Sequence, residues 1–433
     1  MNGSGSNMNV RYGTALSGFP FKLKFRLSFV KYLLQKKKYP LFVLSPSREG
    51  LLKTQKTMRK LGLFKAARYD GHYYLSLTTP RWPSRAFDIM VARGGLNLTA
   101  AGTPLKAQVD TAVLAITRQC AYECVYCYEH NNLGEEESVP IERWKEVVRD
   151  LQAQGISIIT FSGGEPMLRF EGLMELVKAV DKNLSDIHVH TSGNGVTQEN
   201  AMALKQAGVA AVAVGLDDVD PNRHDEIGRN AKASEDAVKA LQLFREAGLF
   251  TYINMCLSKD MAKTDELHKF FLLAKSLDVG FVRLLEPKPC GGYLDENMED
   301  LFSEEDRKTV TEFYREVNRD KKYKDYPIIS YDAYFEKPEH LGCMMGGHSH
   351  FHIDSLGNVE PCVFMPVSFG NIMEEDILDI FARMREAIPS PIHKDCPVLS
   401  LSQKIREKKN QGTPLPIPFA EIEEDWQQML EER

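Results

Sequence analysis

Three cysteines, Cys120, Cys124 and Cys127, share the run ITRQCAYECVYCY at residues 116–128. Their spacing is C-x3-C-x2-C, with Tyr126 just before the third thiol, and it limits this chain more than any other feature. Three thiolates this close can grip one soft metal centre. They fill three corners of a four-iron cube and leave one iron open to another ligand. A zinc site is the competing reading: zinc takes four ligands, and His130 is the candidate fourth. A disulfide fragment or ordinary buried thiols are the plainer alternatives.

Two further motifs follow in order. Gly163-Gly164-Glu165-Pro166 comes after the apolar run at residues 156–161, and VHTSGNG at 189–195 closes another short strand-like run. A lone Gly-Gly marks only a turn. With the cysteines, the set resembles the signature of radical S-adenosylmethionine (radical SAM) enzymes over roughly residues 110 to 290.

The resemblance implies that Cys120, Cys124 and Cys127 ligate a [4Fe–4S] cluster, whose open iron is chelated by the amino and carboxylate groups of SAM. It implies reductive cleavage of the S–C5′ bond and hydrogen-atom abstraction by a 5′-deoxyadenosyl radical. Gly163, Gly164, Glu165 and Pro166 are the candidate SAM-binding turn. The glycines allow close backbone approach, and Glu165 supplies an acceptor. Ser192 and Asn194 offer hydrogen bonds to the ribose or the methionine carboxylate, with turn chemistry as the alternative. Asp217 matches the acid of a serine-x-aspartate pattern in relatives with a C-terminal cluster domain, but Gly215 stands where the serine belongs. That departure leaves Asp217 a catalytic candidate with an incomplete pattern. Arg283 serves either the SAM carboxylate or a structural salt bridge.

With 433 residues, 43% of them hydrophobic and 26% charged, the chain has room for two or three globular domains. The net charge of −6 is uneven: residues 1–60 carry thirteen Lys/Arg against one acid, Glu49, about +12, which leaves about −18 for the remainder. Such asymmetry predicts that the N-terminal part meets something acidic. No run of eighteen or more apolar residues offers a membrane span. Lys22, Lys24, Arg26 and Lys31 interrupt residues 19–34, unlike a signal peptide. Eight cysteines beside a metal-type cluster read as reduced, cytoplasmic thiols rather than a disulfide scaffold.

Residues 1–105 read as a basic α+β accessory region, helical at 51–63 and strand-like at 73–77. Residues 1–10 read as disordered. Residues 21–29 alternate aromatic or aliphatic with basic side chains and lead to Lys36, Lys37 and Lys38. This is either a strand or helix with a solvated basic face, or a contact with anionic lipid heads that would place the protein at the membrane periphery. No nucleic-acid-reading module is visible.

Residues 106–292 alternate strand and helix. Strands are predicted at 111–116, 156–161, 187–191, 210–216, 251–257 and 280–286, and helices at 141–154, 171–182, 198–207, 234–247 and 265–277. Several helices stop at Gly155, Gly208 and Gly248, suited to left-handed C-caps. The pattern predicts an α/β fold, a partial (β/α)6 TIM-like barrel with its active site at the strand C-terminal ends. Residues Asp217, Asp218, Arg283 and Glu286 fall there with the motifs.

Residues 293–400 resemble the shortened twitch form of the SPASM extension, which carries one auxiliary iron–sulfur cluster. The full C-x2-C-x5-C-x3-C run is absent. The resemblance makes Cys343, Cys362 and Cys396 the candidate ligands, with Cys290 or an open iron in the fourth place. Buried cysteines or zinc are the alternatives. Cys256 lies in a predicted strand and reads as core. His348, His350 and His352 have period two, so on a strand they share one face, which either binds metal or an acidic substrate or is merely polar. Residues 401–433 read as a charged tail.

The expected function is a radical SAM enzyme that abstracts a hydrogen atom from an unactivated carbon, in oxidative, C–C or C–S bond-forming or epimerising chemistry. An auxiliary [4Fe–4S] cluster would assist oxidation or bind substrate. A flavodoxin or ferredoxin would supply electrons. The substrate is a ribosomal peptide or a small acidic or lipid-linked molecule. The alternative is an iron–sulfur electron carrier or redox sensor without SAM chemistry.

Overall fold

Short runs of small and β-branched residues, each followed by a helix that ends at a cap, build most of this chain. The computed structural model describes residues 10–14, 65–92 and 110–431. Six strands pair in parallel in chain order: β4 Thr111–Ala115, β5 Ile158–Ser162, β6 Asp186–Thr191, β7 Ala211–Gly215, β8 Phe250–Cys256 and β9 Phe281–Leu285. They are the six expected strands, within a residue or two. Their near-continuous apolar sequences suit a sheet whose outer face is covered by helices. Those helices are Ile141–Gln154, Phe170–Ala179, Gln198–Ala207, Ala233–Glu246 and Thr264–Ser276. Gly155 and Gly208, both at φ 93°, give two of them left-handed C-caps. Trp144, Phe244, Phe270 and Phe271 pack their inner faces on the sheet. Each such buried side chain contributes about 1.5–3 kcal/mol.

The sheet does not stop at six strands. β10 Ile328–Tyr331 pairs in parallel with β9, and β11 His350–Ile353 pairs in parallel with β4. β12 Val359–Glu360 then returns antiparallel to β11, through a turn at residues 354–358. The order is 10-9-8-7-6-5-4-11-12, so eight of nine strands run parallel. Both flanking strands come from the stretch expected as a separate unit beyond residue 292. The physical reason is edge pairing: a six-stranded sheet presents two rows of unpaired backbone groups, and the following chain covers both.

Three antiparallel strands, β1 Arg11–Thr14, β2 Lys65–Tyr69 and β3 His72–Tyr74, form a small second sheet. It plugs the end of the barrel where the parallel strands begin. Tyr74 stacks on Phe250 with ring centroids 3.7 Å apart, and its hydroxyl donates to the Ala210 carbonyl at 2.9 Å. Tyr69, Leu77, Ala211, Ala213, Phe281 and Ile328 complete this cluster. Buried Lys65 donates to the Val317 and Tyr323 carbonyls at 2.7 and 2.8 Å. Residues 19–39, with Lys36, Lys37 and Lys38, and the predicted helix at 51–63 lie outside the described residues.

The expectation of a charged tail at 401–433 is corrected. Helices Pro397–Asn410 and Glu423–Glu431 fold back on the main core through Leu401, Ile405, Ile422 and Trp426. Trp426 donates its indole N–H to the Ala387 carbonyl at 3.2 Å. The charges occupy the outward faces, which is why composition alone read as a tail. Among the described residues no helix is long and apolar enough to cross a membrane.

Candidate functional site

One cavity of about 930 Å³ runs from residues 75–79 of the plug, along the inner faces of the strands, to the loops at their C-terminal ends. Cys120, Cys124 and Cys127 all line it, on the loop after β4. Backbone bonds hold that loop: Val125 N–H donates to the Ile227 carbonyl at 3.0 Å, and Cys127 N–H to the Cys124 carbonyl at 3.1 Å. The tyrosines between the cysteines anchor it further. Tyr122 donates to Asp236 Oδ2 at 2.8 Å and Tyr126 to Asp217 Oδ2 at 2.7 Å, while Tyr128 shares a 2.8 Å hydrogen bond with Ser162.

The Gly163-Gly164 turn lines the same cavity, but its close approach is to the cysteine loop. Gly164 N–H donates to the Thr117 carbonyl at 2.8 Å, and a Cβ on Gly164 would stand 2.3 Å from the Gln119 carbonyl oxygen. Backbone against backbone leaves room only for glycine. Glu165 faces inward and is fully buried. Its Oε1 accepts from Met167 N–H and Thr191 Oγ1 at 3.0 and 2.7 Å, and its Oε2 from Ser192 N–H and Oγ at 2.7 and 2.5 Å. Burial pushes its pKa up against those bonds. Glu165 thus locks the β5 turn to the β6 turn. Ser192 lines the cavity, whereas Glu165, Pro166 and Asn194 are not among its lining residues; Asn194 donates to Asp236 Oδ2 at 3.0 Å.

Asp217 lines the cavity and ties three elements together. Oδ2 accepts from Tyr126, Oδ1 accepts from Cys256 N–H at 2.7 Å, and its own N–H donates to His224 Nδ1 at 3.1 Å. Asp218 is committed to Arg223, which donates to both its oxygens at 2.7 Å. Glu286 accepts from Tyr331, Lys288 and Arg307. Arg283 takes the structural option, donating twice to Asp332.

Between plug and loops the lumen carries a group of polar side chains. His190 Nε2 and His188 Nδ1 lie 2.9 and 3.3 Å from the Tyr252 hydroxyl. Burial lowers the pKa of His188 to about 3 and of His350 to about 4, with Arg283 adding to both. Asn254 Oδ1 and Thr111 Oγ1 are buried lumen atoms with no hydrogen-bond partner among the described residues. The expected shared histidine face divides. His350 and His352 are on β11, while His348 precedes it and pairs with the Ile388 carbonyl. Of the three, only His350 lines the cavity; His352 pairs with Glu129 Oε1 at 3.0 Å.

The same cavity is lined by a second thiol group. Cys343, Cys362, Cys396 and Cys290 all line it. Cys343 exchanges two backbone hydrogen bonds of 2.8 Å with Ile392, which draws residue 343 toward the segment that ends at Cys396. Cys256, expected in the core, lies half-buried at the end of β8 and faces the cavity instead.

The donor chemistry fits a cationic iron–sulfur centre at each thiol set. All eight cysteines are free. Burial, with neighbouring thiols and carboxylates adding, pushes Cys120 to about 11 and Cys124 to about 12, and holds Cys127 well above the ordinary thiol range. Burial and the adjoining Glu336, Cys396 and Cys362 do the same to Cys343. Thiols crowded this way resist ionising on their own, and a positive metal centre is what reverses that balance.

Comparison with known proteins agrees. Residues 114–270 match the radical SAM superfamily, and residues 343–397 match an iron–sulfur cluster-binding domain, SPASM. The chain is 30% identical over 189 residues to a GTP 3′,8-cyclase of Petrotoga mobilis, an alignment covering 42% of this chain and 57% of the cyclase. It is 26% identical over 273 residues to the PqqA peptide cyclase of Gluconobacter oxydans, covering 61% and 74%. Its fold matches Streptococcus suis SuiB bound to precursor peptide SuiA with a TM-score of 0.51 at 16% identity, over 64% of this chain and 65% of that one. Residues 114–270 thus carry a radical SAM domain. Residues 343–397 add a SPASM-type iron–sulfur domain. Its cofactors are accordingly SAM with a [4Fe–4S] cluster, and auxiliary iron–sulfur.

The sequence reading missed the tyrosine anchors and the cavity position of Cys256. It also missed the buried Glu129, which binds Asn132, His352 and Ser355. The tyrosines had a visible signal: Tyr122, Tyr126 and Tyr128 interleave with the cysteines. Glu129 had none, because two of its three partners, His352 and Ser355, are more than two hundred residues away.

Proposed function

We propose that this chain is a peptide-modifying radical SAM enzyme in which Cys120, Cys124 and Cys127 hold the SAM-binding cluster and Cys343, Cys362 and Cys396 hold the auxiliary one. The observation that carries this reading is a single cavity lined by both thiol sets. When bound, the cluster with SAM supplies one-electron cleavage of the sulfonium and hydrogen-atom abstraction.

The chain's own residues do the rest. Gly163, Gly164 and Ser192 border the first thiol set and offer backbone and hydroxyl partners to SAM. Asp217, through Tyr126, holds the cysteine loop in place. The lumen below, lined by His188, His190, Tyr252, Asn254 and His350, receives the substrate. Its histidines stay neutral, so they position polar groups by hydrogen bonding without adding charge. The unpartnered Asn254 amide oxygen suits a backbone N–H of an extended segment. The plug closes the lumen floor, so the substrate enters from the loop side and water is excluded from below. Peptide chemistry is favoured by the peptide cyclase among the relatives and by a cavity that joins both thiol sets.

The test is anaerobic reconstitution, then dithionite and SAM, with 5′-deoxyadenosine measured by chromatography. Release is expected. A fully loaded protein that releases none would leave only an electron-carrying role. The substrate class is tested by crosslinking candidate short precursor peptides to the lumen, with GTP and anionic lipid headgroups as competitors. Competition by GTP would replace the peptide with a small molecule.

A further inference from the structure

Just past the end of β9, residues 287–289 read Pro-Lys-Pro. A proline fixes its own φ and keeps the residue before it extended, so this backbone is set before any side chain packs. Lys288 is 9% exposed and lines the cavity. A lysine this buried needs a partner to stay charged. Its Nζ donates to Glu286 Oε2 at 3.1 Å, and no other acceptor meets it among the described residues. An ammonium carries three N–H donors, so most of its capacity is unclaimed there.

Glu286 is not free to balance Lys288 alone. Its Oε1 accepts from the Tyr331 hydroxyl at 2.6 Å, and its Oε2 also accepts from Arg307 Nε at 3.3 Å. Two cations thus lean on one buried carboxylate. Arg307 Nη1 lies 3.5 Å from Glu304 and 3.8 Å from Glu299, but those side chains are 77% and 65% exposed and screened by water. Arg307 Nη2 has no acceptor among the described residues. Arg283, another cavity cation, is closed on Asp332. Glu336 lines the cavity without an ion pair to Lys288 or Arg307 among the described residues, and burial pushes its pKa up to about 8. A structural ion pair needs one cation per carboxylate. The second cation is surplus, and a buried surplus charge is unfavourable until an anion meets it.

We propose that Lys288 and Arg307 form a subsite for a carboxylate of the substrate, either an aspartate or glutamate side chain or a chain terminus. This rests on the reading that the substrate occupies this cavity. Both cations reach the same Glu286 oxygen, so they stand close enough for one further carboxylate to accept from both. Arg307 offers a planar fork and Lys288 a point charge. The pair also lies just past the C-terminal end of a parallel strand, the end at which ligands bind in such barrels. An acidic group held here fixes how far the rest of the substrate reaches into the lumen, and so selects which of its carbons is presented for reaction.

The test uses the full-length protein after anaerobic reconstitution, with SAM present. The probes are N-acetylglutamate N-methylamide for a side-chain carboxylate, N-acetylglycine for a terminal one, and N-acetylglutamine N-methylamide as the neutral control. Binding is read by ligand-observed NMR, and iron per chain is measured alongside. At least one carboxylate probe is expected to bind about 10-fold tighter than the neutral control, and which one does so tells a side chain from a terminus. Lys288→Met is expected to erase that preference with iron content unchanged, and Lys288→Arg to keep it. Glu286→Gln releases both cations and is expected to tighten carboxylate binding about 10-fold, a gain that a merely structural ion pair would not give. Equal binding of charged and neutral probes would overturn the subsite, as would an unchanged preference in Lys288→Met. Loss of iron from Lys288→Met with the preference intact would overturn it too, and would give the lysine to the auxiliary site. If Lys288→Met fails to fold, Glu286→Gln decides, and no gain there overturns the subsite equally. Carboxylate binding that precursor peptides do not displace would retire the peptide reading and leave this subsite standing.

Discussion

The two thiol sets line one cavity, yet they are assembled in opposite ways. Cys120, Cys124 and Cys127 come from a single loop after β4, held by three local tyrosines. Cys343, Cys362 and Cys396 come from separate segments, two of them beyond β11, and line the same cavity. A local site depends on loop geometry. A dispersed site depends on the whole fold around it. The first should therefore be sensitive to small backbone changes nearby, and the second to the loss of whole ligands.

The largest effect should come from Cys124→Ala, which is expected to abolish 5′-deoxyadenosine release and to remove about four irons per chain. Retained cleavage would break the contrast at its root. Gly164→Ala comes next. Its Cβ would press on the Gln119 carbonyl at 2.3 Å, and displacing the cysteine loop is expected to slow SAM cleavage about 100-fold. A rate within twofold of wild type would mean that the turn does not position that loop. Asp217→Asn keeps the shape but weakens the hold on Tyr126. A loss of about 10-fold in cleavage is expected, with iron content unchanged. Cys343→Ala should act on the other thiol set alone, lowering iron content while sparing SAM cleavage in part. Unchanged iron would remove Cys343 from the auxiliary set.

The smallest effect concerns pH. Burial and Arg283 hold His350 down at about 4, against an ordinary 6.5. Below 6.5 the unfolded chain takes up a proton that the folded lumen refuses. The contribution is intact above 6.5 and is lost as pH falls through 6.5 toward 4. His350→Asn is expected to flatten the fall of the urea midpoint over that interval. An equally steep fall in the variant would show that His350 is not part of the acid sensitivity.

Much of this architecture was legible before folding was considered. The six central strands and their helices carry strong local patterns, and Gly155 and Gly208 stop their helices where the sequence suggested. The flanking strands were less visible. β10 is only four residues long, and β11 reads as a histidine pattern before it reads as a strand. The role of Glu165 was hidden for a different reason. Its four hydrogen bonds reach residues on two turns, so it locks the loops together rather than standing open as an acceptor. Arg283 had two equal readings until Asp332, forty-nine residues on, decided between them.

The sequence by itself determined the chemistry of the first site, because three thiols and their spacing within one loop are a local property that survives any arrangement of the rest. It also determined the α/β alternation, because strand and helix periods are local too. Only the tertiary structure decided that the C-terminal segment completes the same sheet, that the N-terminal strands plug its floor, and that Cys290 and Cys256 face the shared cavity. Those outcomes depend on which edges pair and which surfaces meet, and contacts between residues far apart in the chain leave no periodic trace in it.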